Sequence, residues 1–216
     1  MSVIAYYAHV TAEQMQHVRE APQQLWHIRE NPKLAGAELF DMDKDYQVIS
    51  WLLSEKKRDE AKGEAAQMAA MMRKDIARND KEAFKKALAE ERAKLGVTVD
   101  LATLYEMPDD PIVTAIEGRG TEDQRDEAIT FGMGGARVFP PAEVKALSEQ
   151  IQKIQPSDLH RHFNRKEMAV WDVGGIGWLE EDDDVLDKAL MPAFKRFQEF
   201  YKRAAEANQY VLVIYQ

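Results

Sequence analysis

The sequence predicts an α+β fold: one helix-rich domain spanning 1–216, with a small mixed sheet containing the N- and C-terminal strands and an inserted helical hairpin at 56–96. Three observations carry this reading. The chain opens on Val3 to Val10 and closes on Tyr210 to Tyr215, two runs of β-branched and aromatic residues. Between them, apolar residues recur mainly at helical spacing. Its 216 residues suffice for a single core, and 45% hydrophobic with 31% charged residues is a composition that folds rather than one that stays disordered or enters a membrane.

Residues 3–10 set Ile4, Tyr6, Ala8 and Val10 against Val3, Ala5, Tyr7 and His9, the alternation of a strand. Thr11 caps the following helix, and Gln14 completes a capping box; Met15 and Val18 begin its buried stripe and Pro22 interrupts it. A second helix carries Leu25, Trp26 and Ile28. After Gly36, Leu39 to Lys44 leads into a helix with Tyr46, Ile49 and Leu53 at helical spacing, Trp51 and Leu52 widening its apolar face, and Asp41 or Asp43 placed to cap it.

From about Lys56 to Leu95 the chain is rich in Ala, Glu, Lys and Met, and Ala61, Ala65, Met68, Met72 and Ile76 mark one helical stripe. Asn79-Asp80 breaks and caps a second helix with Phe84, Leu88 and Leu95, ended by Gly96, which makes the segment a hairpin. Residues 97–135 hold Pro108, Pro111 and five glycines, and read as loop with short helical pieces such as Ile112 to Glu117. Ala136 to Phe139 is a short strand, and Pro140-Pro141 opens a helix striped by Val144, Leu147, Ile151 and Ile154. Pro156 closes that helix, a shorter one begins at Ser157 or Asp158, and Trp171 to Trp178 is a glycine-rich loop. The acidic run Glu180 to Asp184 precedes a long helix with Leu186, Leu190, Phe194, Phe197, Tyr201 and Ala205 on one face and a kink at Pro192. Tyr210 to Tyr215 is apolar on both faces, so it belongs at the centre of its sheet.

Composition removes several classes of chemistry. Without cysteine there is no disulfide, thiolate zinc site, iron–sulfur cluster or cysteine nucleophile. No apolar run approaches the ~20 residues that span a bilayer, and the first residues lack a basic, then apolar, secretory leader, so a cytoplasmic location is expected. A formal charge of -9 opposes attachment to nucleic acid or anionic lipid. The same acidity suits a basic protein partner, and solubility alone accounts for it at least as well.

Candidate site residues fall in four places. Gly132 to Arg137, with Gly134 and Gly135 freeing backbone amides and Arg137 offering a bidentate fork, suits an anion, or forms a tight turn whose arginine pairs with Asp41 or Asp43. A dinucleotide site needs a third glycine opening a helix, and here a strand follows. Asp41, Asp43 and Lys44 suit acid–base chemistry or a cation, or simply cap a helix; no calcium-loop spacing accompanies them. Trp171 and Trp178 either anchor a partner or pack, and Glu180, Glu181, Asp182 and Asp183 either meet a basic partner or stay solvated before a helix. His160 and His162 stand two apart on a helix and cannot chelate together, and His9, His17 and His27 are scattered without a nucleophile elbow. No cofactor or metal is expected, and an enzyme is the less favoured class.

Four stretches together resemble the YfbM-like family of bacterial domains of unknown function. They are the N-terminal strand; Asp41 to Tyr46 through Leu53, similar to the family's Asp-Lys-x-Trp helix start with Tyr46 at the aromatic position; Pro111 to Gly118 leading to Gly132 to Arg137, similar to its Gly-x-Gly-x-Ala-Arg turn; and Phe194 to Tyr215. The 56–96 hairpin looks like an insertion relative to shorter members, and Trp171 to Trp178 departs from the family's Tyr-Pro-Gly pattern. The resemblance implies an α+β fold with both terminal strands in one sheet and supplies no reaction, cofactor or catalytic residue. Two functions follow: a protein-binding module, such as an immunity-type inhibitor of a basic toxin, or a small-ligand or anion-binding protein or enzyme built on the Gly132 to Arg137 turn.

Overall fold

The structure, a computed structural model, describes residues 4–74, 80–108, 110–118, 125–126, 129 and 136–215. Five strands form one sheet: β1 (Ala5–Val10), β2 (Glu38–Asp41), β3 (Arg125–Asp126), β4 (Ala136–Phe139) and β5 (Tyr210–Tyr215), in the order β2-β1-β5-β4-β3. The terminal strands are neighbours at its centre, and β5 is buried on both faces, as its apolar sequence predicts. The sheet is antiparallel at every described pairing rather than mixed, because the chain returns to the end at which β1 left: Val10 pairs with Tyr210.

Register assigns side chains to faces. Arg137, Val213, Tyr7 and Phe40 are paired in turn across four strands and share one face; Val138, Leu212, Ala8 and Leu39 share the other. The larger core covers the first face and is built with α2 (Asp45–Leu53), α6 (Pro111–Glu117), α7 (Pro141–Ile151) and α10 (Met191–Glu206). A smaller one on the second face gathers Met15 and Val18 of α1 (Ala12–Glu20) with Leu25, Leu34 and Ile214. The remaining helices are α3 (Glu55–Met71), α4 (Lys81–Lys94), α5 (Leu101–Glu106), α8 (Pro156–His162) and α9 (Arg165–Val170).

The capping box at Thr11 and Gln14 is present. Other local expectations change. The helix expected around Leu25 is a 3₁₀ turn, Pro22–His27. Lys44, not an aspartate, is the N-cap of α2; Asp41 Oδ1 instead accepts from the Asp43 amide at 2.6 Å, and Asp43 adopts a left-handed conformation. The hairpin of α3 and α4 forms as expected, but α3 buries Glu60, Gly63, Ala66 and Ala70 while Met68 and Met72 are 58% and 73% exposed. Ile76 lies outside the described residues. The small face wins because it admits close contact: a Cβ on Gly63 would stand 2.6 Å from Leu101 Cδ2. Pro192 interrupts the regular hydrogen bonding of the helical run expected there. It lies at the start of α10, after a π-type turn at Leu186–Leu190, since a proline has no N–H to give to the preceding turn.

Candidate functional site

The site is built around the C-terminal end of α6. Asp110 starts that helix, its Oδ1 accepting from the amides of Ile112 and Val113, and Gly118 ends it in a left-handed conformation. A helix end leaves carbonyls without intrahelical partners, and three tyrosines supply donors. Tyr201 donates to Ala115 O at 2.9 Å, Tyr7 to Ile116 O and Tyr215 to Glu117 O. Burial pushes the phenols of Tyr7 and Tyr201 well up from their ordinary value, so both remain neutral donors.

This collar fixes Glu117 where its carboxylate meets α2 and α3. Ser50 Oγ donates to Glu117 Oε1 at 2.6 Å and Lys57 Nζ to Oε2 at 3.2 Å. Lys57 also stands 3.1 Å from Glu60 Oε2, with Lys56 3.9 Å from the other oxygen and donating to Met107 O at 2.5 Å. Ser54 caps α3 by accepting from the Lys57 amide, which sets both lysines on the helix's first turn. Glu60 is only 2% exposed.

The network opens into a cleft of about 750 Å³. Its floor is the β4–β5 part of the sheet, with Arg137 and Tyr215 in the lining, and its far wall is Trp171 at the end of α9 with the Asp172 to Gly174 turn. Gly118 permits the floor to close: a Cβ there would lie 2.8 Å from Val213 Cβ and 2.9 Å from Arg137 Cγ. Tyr46 and Trp51 of α2 and Tyr105 of α5 complete the lining, with Glu64 and Asp172 exposed at the mouth. Trp51 and Trp171 each bury an indole Nε1 that has no hydrogen-bond partner among the described residues. Ser50 is wholly buried behind Glu117.

The predicted site residues separate. Arg137 and Trp171 line the cleft. Asp41 does not join Arg137: it is on β2, three strands from β4, and pairs with Tyr6, so its side chain leaves the opposite face. At about 4.8 Å per strand that spacing alone is ~14 Å, which excludes an ion pair of Arg137 with Asp41; Asp43 and Lys44 are absent from the cleft lining that holds Arg137. Gly132, Gly134 and Gly135 lie outside the described residues. Trp178 is 1% exposed and donates from Nε1 to Val173 O at 2.7 Å, so it is a core residue rather than a surface anchor. Glu180, Glu181, Asp182 and Asp183 are exposed, and Arg165 ties their loop through Asp183 and Glu181 O.

His160 pairs with Asp187 at 3.2 Å on the surface, and no group of three or more acidic or histidine side chains among the described residues has the arrangement of a metal site. No helix among them is long and apolar enough to cross a membrane. Sequence reasoning missed Trp51, Ser50, Lys57, Glu60 and Glu117. Lys56, Lys57 and Glu60 stand at spacings that pair on a helix, a signal that was available; Glu117, 60 residues from Lys57, offered none.

Comparison with known proteins places this geometry in context. Residues 104–214 match the family described as Domain of unknown function (DUF1877). The crystal structure of YfbM from Escherichia coli, described as a protein of unknown function, superimposes with a TM-score of 0.52 at 14% identity, over 99% of each chain. At that identity the likeness concerns the fold. No curated protein matches the chain. The matched segment holds Glu117, Gly118, Arg137, Trp171 and Tyr215, whereas the α2 and α3 wall lies before it.

Proposed function

We propose that this chain, which belongs to the DUF1877 family, is a small-ligand-binding protein whose site is the cleft between α2, α3 and the β4–β5 part of the sheet. The family assigns no reaction, so the reading rests on the cleft itself. One observation carries it: Glu60, Lys57 and Glu117 form a buried ionic network where a folded core needs none. Buried charge seldom adds stability, because desolvation offsets the attraction, and such groups concentrate at functional sites. The volume falls in the range of small-molecule sites.

The test is a thermal-shift screen of nucleotides, phosphates, carboxylates, sugars and divalent ions on the purified chain. At roughly a hundredfold excess over Kd, a ligand specific to the folded state adds about 2.7 kcal/mol, a shift of several degrees in Tm. Arg137→Ala abolishes the response if the site is correct. A response that survives this change moves the site elsewhere, and a screen without any response rejects the reading.

A second reading, binding of a basic partner protein such as a toxin, is supported by the surface beside the acidic loop. Leu179, next to the run Glu180, Glu181, Asp182 and Asp183, is 70% exposed, an apolar side chain among carboxylates. Affinity capture from the host at moderate salt returns one stoichiometric partner on this reading, and replacing the four carboxylates by lysine removes it. Recovery of the same partner by that variant dismisses the acidic surface.

A further inference from the structure

Methionine is the only sulfur in this chain, with ten residues against no cysteine. The thiolate that ordinarily meets a peroxide first is therefore absent, and the thioether is the sulfur left to react. Access separates the methionines. Met15, Met42 and Met168 are core residues, whereas Met72, Met71 and Met68 stand 73%, 65% and 58% exposed at the end of α3. Met107, at the end of α5, is 46% exposed and Met191 is half-buried; Met1 and Met133 lie outside the described residues.

The three exposed thioethers form one surface. The Met72 amide donates to Met68 O at 3.0 Å, so helical geometry persists there, and residues three and four apart on a helix lie side by side. The face that α3 buries is the other one, Glu60, Gly63, Ala66 and Ala70, with Gly63 against Leu101. None of the three methionines lines the cleft. Oxidation converts a flexible apolar side chain into a polar one. In a core that places a sulfoxide oxygen where nothing donates to it, which is costly; on this face water solvates it, and neither the hairpin's packing nor the cleft is touched.

We infer that the outer face at the end of α3 is an oxidation site, where Met68, Met71 and Met72 take up oxygen from two-electron oxidants of the peroxide class ahead of the core methionines while the fold persists. In each event the sulfur lone pair attacks one peroxide oxygen, an S–O bond forms and the O–O bond breaks. The departing oxygen takes the proton of the transferred one and leaves as water, or as an alcohol from an alkyl hydroperoxide; sulfur is oxidised by two electrons and the peroxide reduced by two. Because the chain has no cysteine, the electrons that reverse the step come from an external dithiol through a methionine sulfoxide reductase, and the sulfoxide oxygen leaves as water.

Treatment of the full chain with hydrogen peroxide at neutral pH, followed over time by peptide mass spectrometry, tests this. Met68, Met71 and Met72 gain one oxygen each at least about tenfold faster than Met15, Met42 and Met168, with Met107 and Met191 between. The chain oxidised at the three positions keeps a cooperative thermal transition within about 2 °C of the untreated one, and a sulfoxide reductase with dithiothreitol returns it to its starting mass. A chain carrying Met68→Leu, Met71→Leu and Met72→Leu, which keeps side-chain volume and lacks the sulfur, folds alike and consumes three fewer rapid equivalents of peroxide. Core methionines that oxidise as fast as these three, a thermal transition that falls further once only the three are oxidised, or undiminished rapid consumption by the leucine chain each overturns the proposal.

Discussion

Three hydroxyls hold the end of α6, and each is a single atom whose removal is measurable. Tyr201→Phe leaves Ala115 O, inside the core, without its donor and keeps the ring in place. An unpaired buried acceptor costs about 1–3 kcal/mol, so the denaturant midpoint falls with an unchanged slope in urea titration. Burial also raises the phenol pKa of Tyr7 and Tyr201 in the folded chain above the value of about 10 in the unfolded one. The unfolded state then loses these protons first, so stability is complete below pH ~10 and declines as pH rises beyond it, by about 1.4 kcal/mol per pH unit for each tyrosine. Tyr201→Phe makes the alkaline limb of a stability-versus-pH curve shallower by that amount; an identical limb in the variant shows that the hydroxyl titrates alike in both states. At this scale the sequence was partly legible. Arg137 and Trp171 stand out by type and by their glycine neighbours, and both line the cleft. The tyrosines do not, because β-strand tyrosines at Tyr7 and Tyr215 read as ordinary sheet residues until the fold brings α6 against them from 109 and 98 residues away.

Among the elements, α3 shows how a correct helix can carry a wrong face. Ala, Gly and Met all recur at helical intervals along it, so periodicity fits more than one stripe, and methionine's hydrophobicity favours the face that in fact meets solvent. Contact distance decides instead. Gly63 lies against Leu101, and the residues buried with it, Ala66 and Ala70, are small enough to continue that close approach. Gly63→Val therefore overpacks the contact and destabilises by about 1–3 kcal/mol, whereas Met68→Ala stays within about 0.5 kcal/mol; chemical denaturation of the pair distinguishes the two faces, and the reverse order contradicts the packing. Helix starts were legible at Thr11 and Asp80, whose side chains accept an amide, whereas the side-chain caps at Ser54, Asp100, Asp110 and Asn164 were not read. Strand β2 was not, because its four residues are only half buried and follow a glycine turn without clear alternation.

The whole molecule divides its duties between a core and an appended wall. Among the described residues of 55–96, neither hydrophobic cluster includes a fully buried one, and only Ala61 packs at the larger cluster's margin. Yet Lys56, Lys57 and Glu60, the cations and carboxylate of the cleft's second wall, all belong to α3. The fold was legible because its sheet is written at the two ends of the chain, while the cleft was not, because its lining comes from α2, α3, α5, α6, β4, β5 and the 171–174 turn, and no local pattern records contacts between segments so far apart. If the hairpin is an insertion, as its absence from both clusters suggests, the remainder folds without it. Replacing 56–95 by a flexible Gly/Ser linker, together with Glu117→Gln so that no carboxylate is left buried without Lys57, should keep a cooperative thermal transition and the near-ultraviolet dichroism of a packed aromatic core. The same chain should lose every ligand response that depends on Arg137→Ala in the intact protein, since one wall is gone. Loss of the cooperative transition would instead make α3 and α4 part of the folding domain, because cooperativity fails only when the deleted segment supplies contacts that the rest of the core cannot replace.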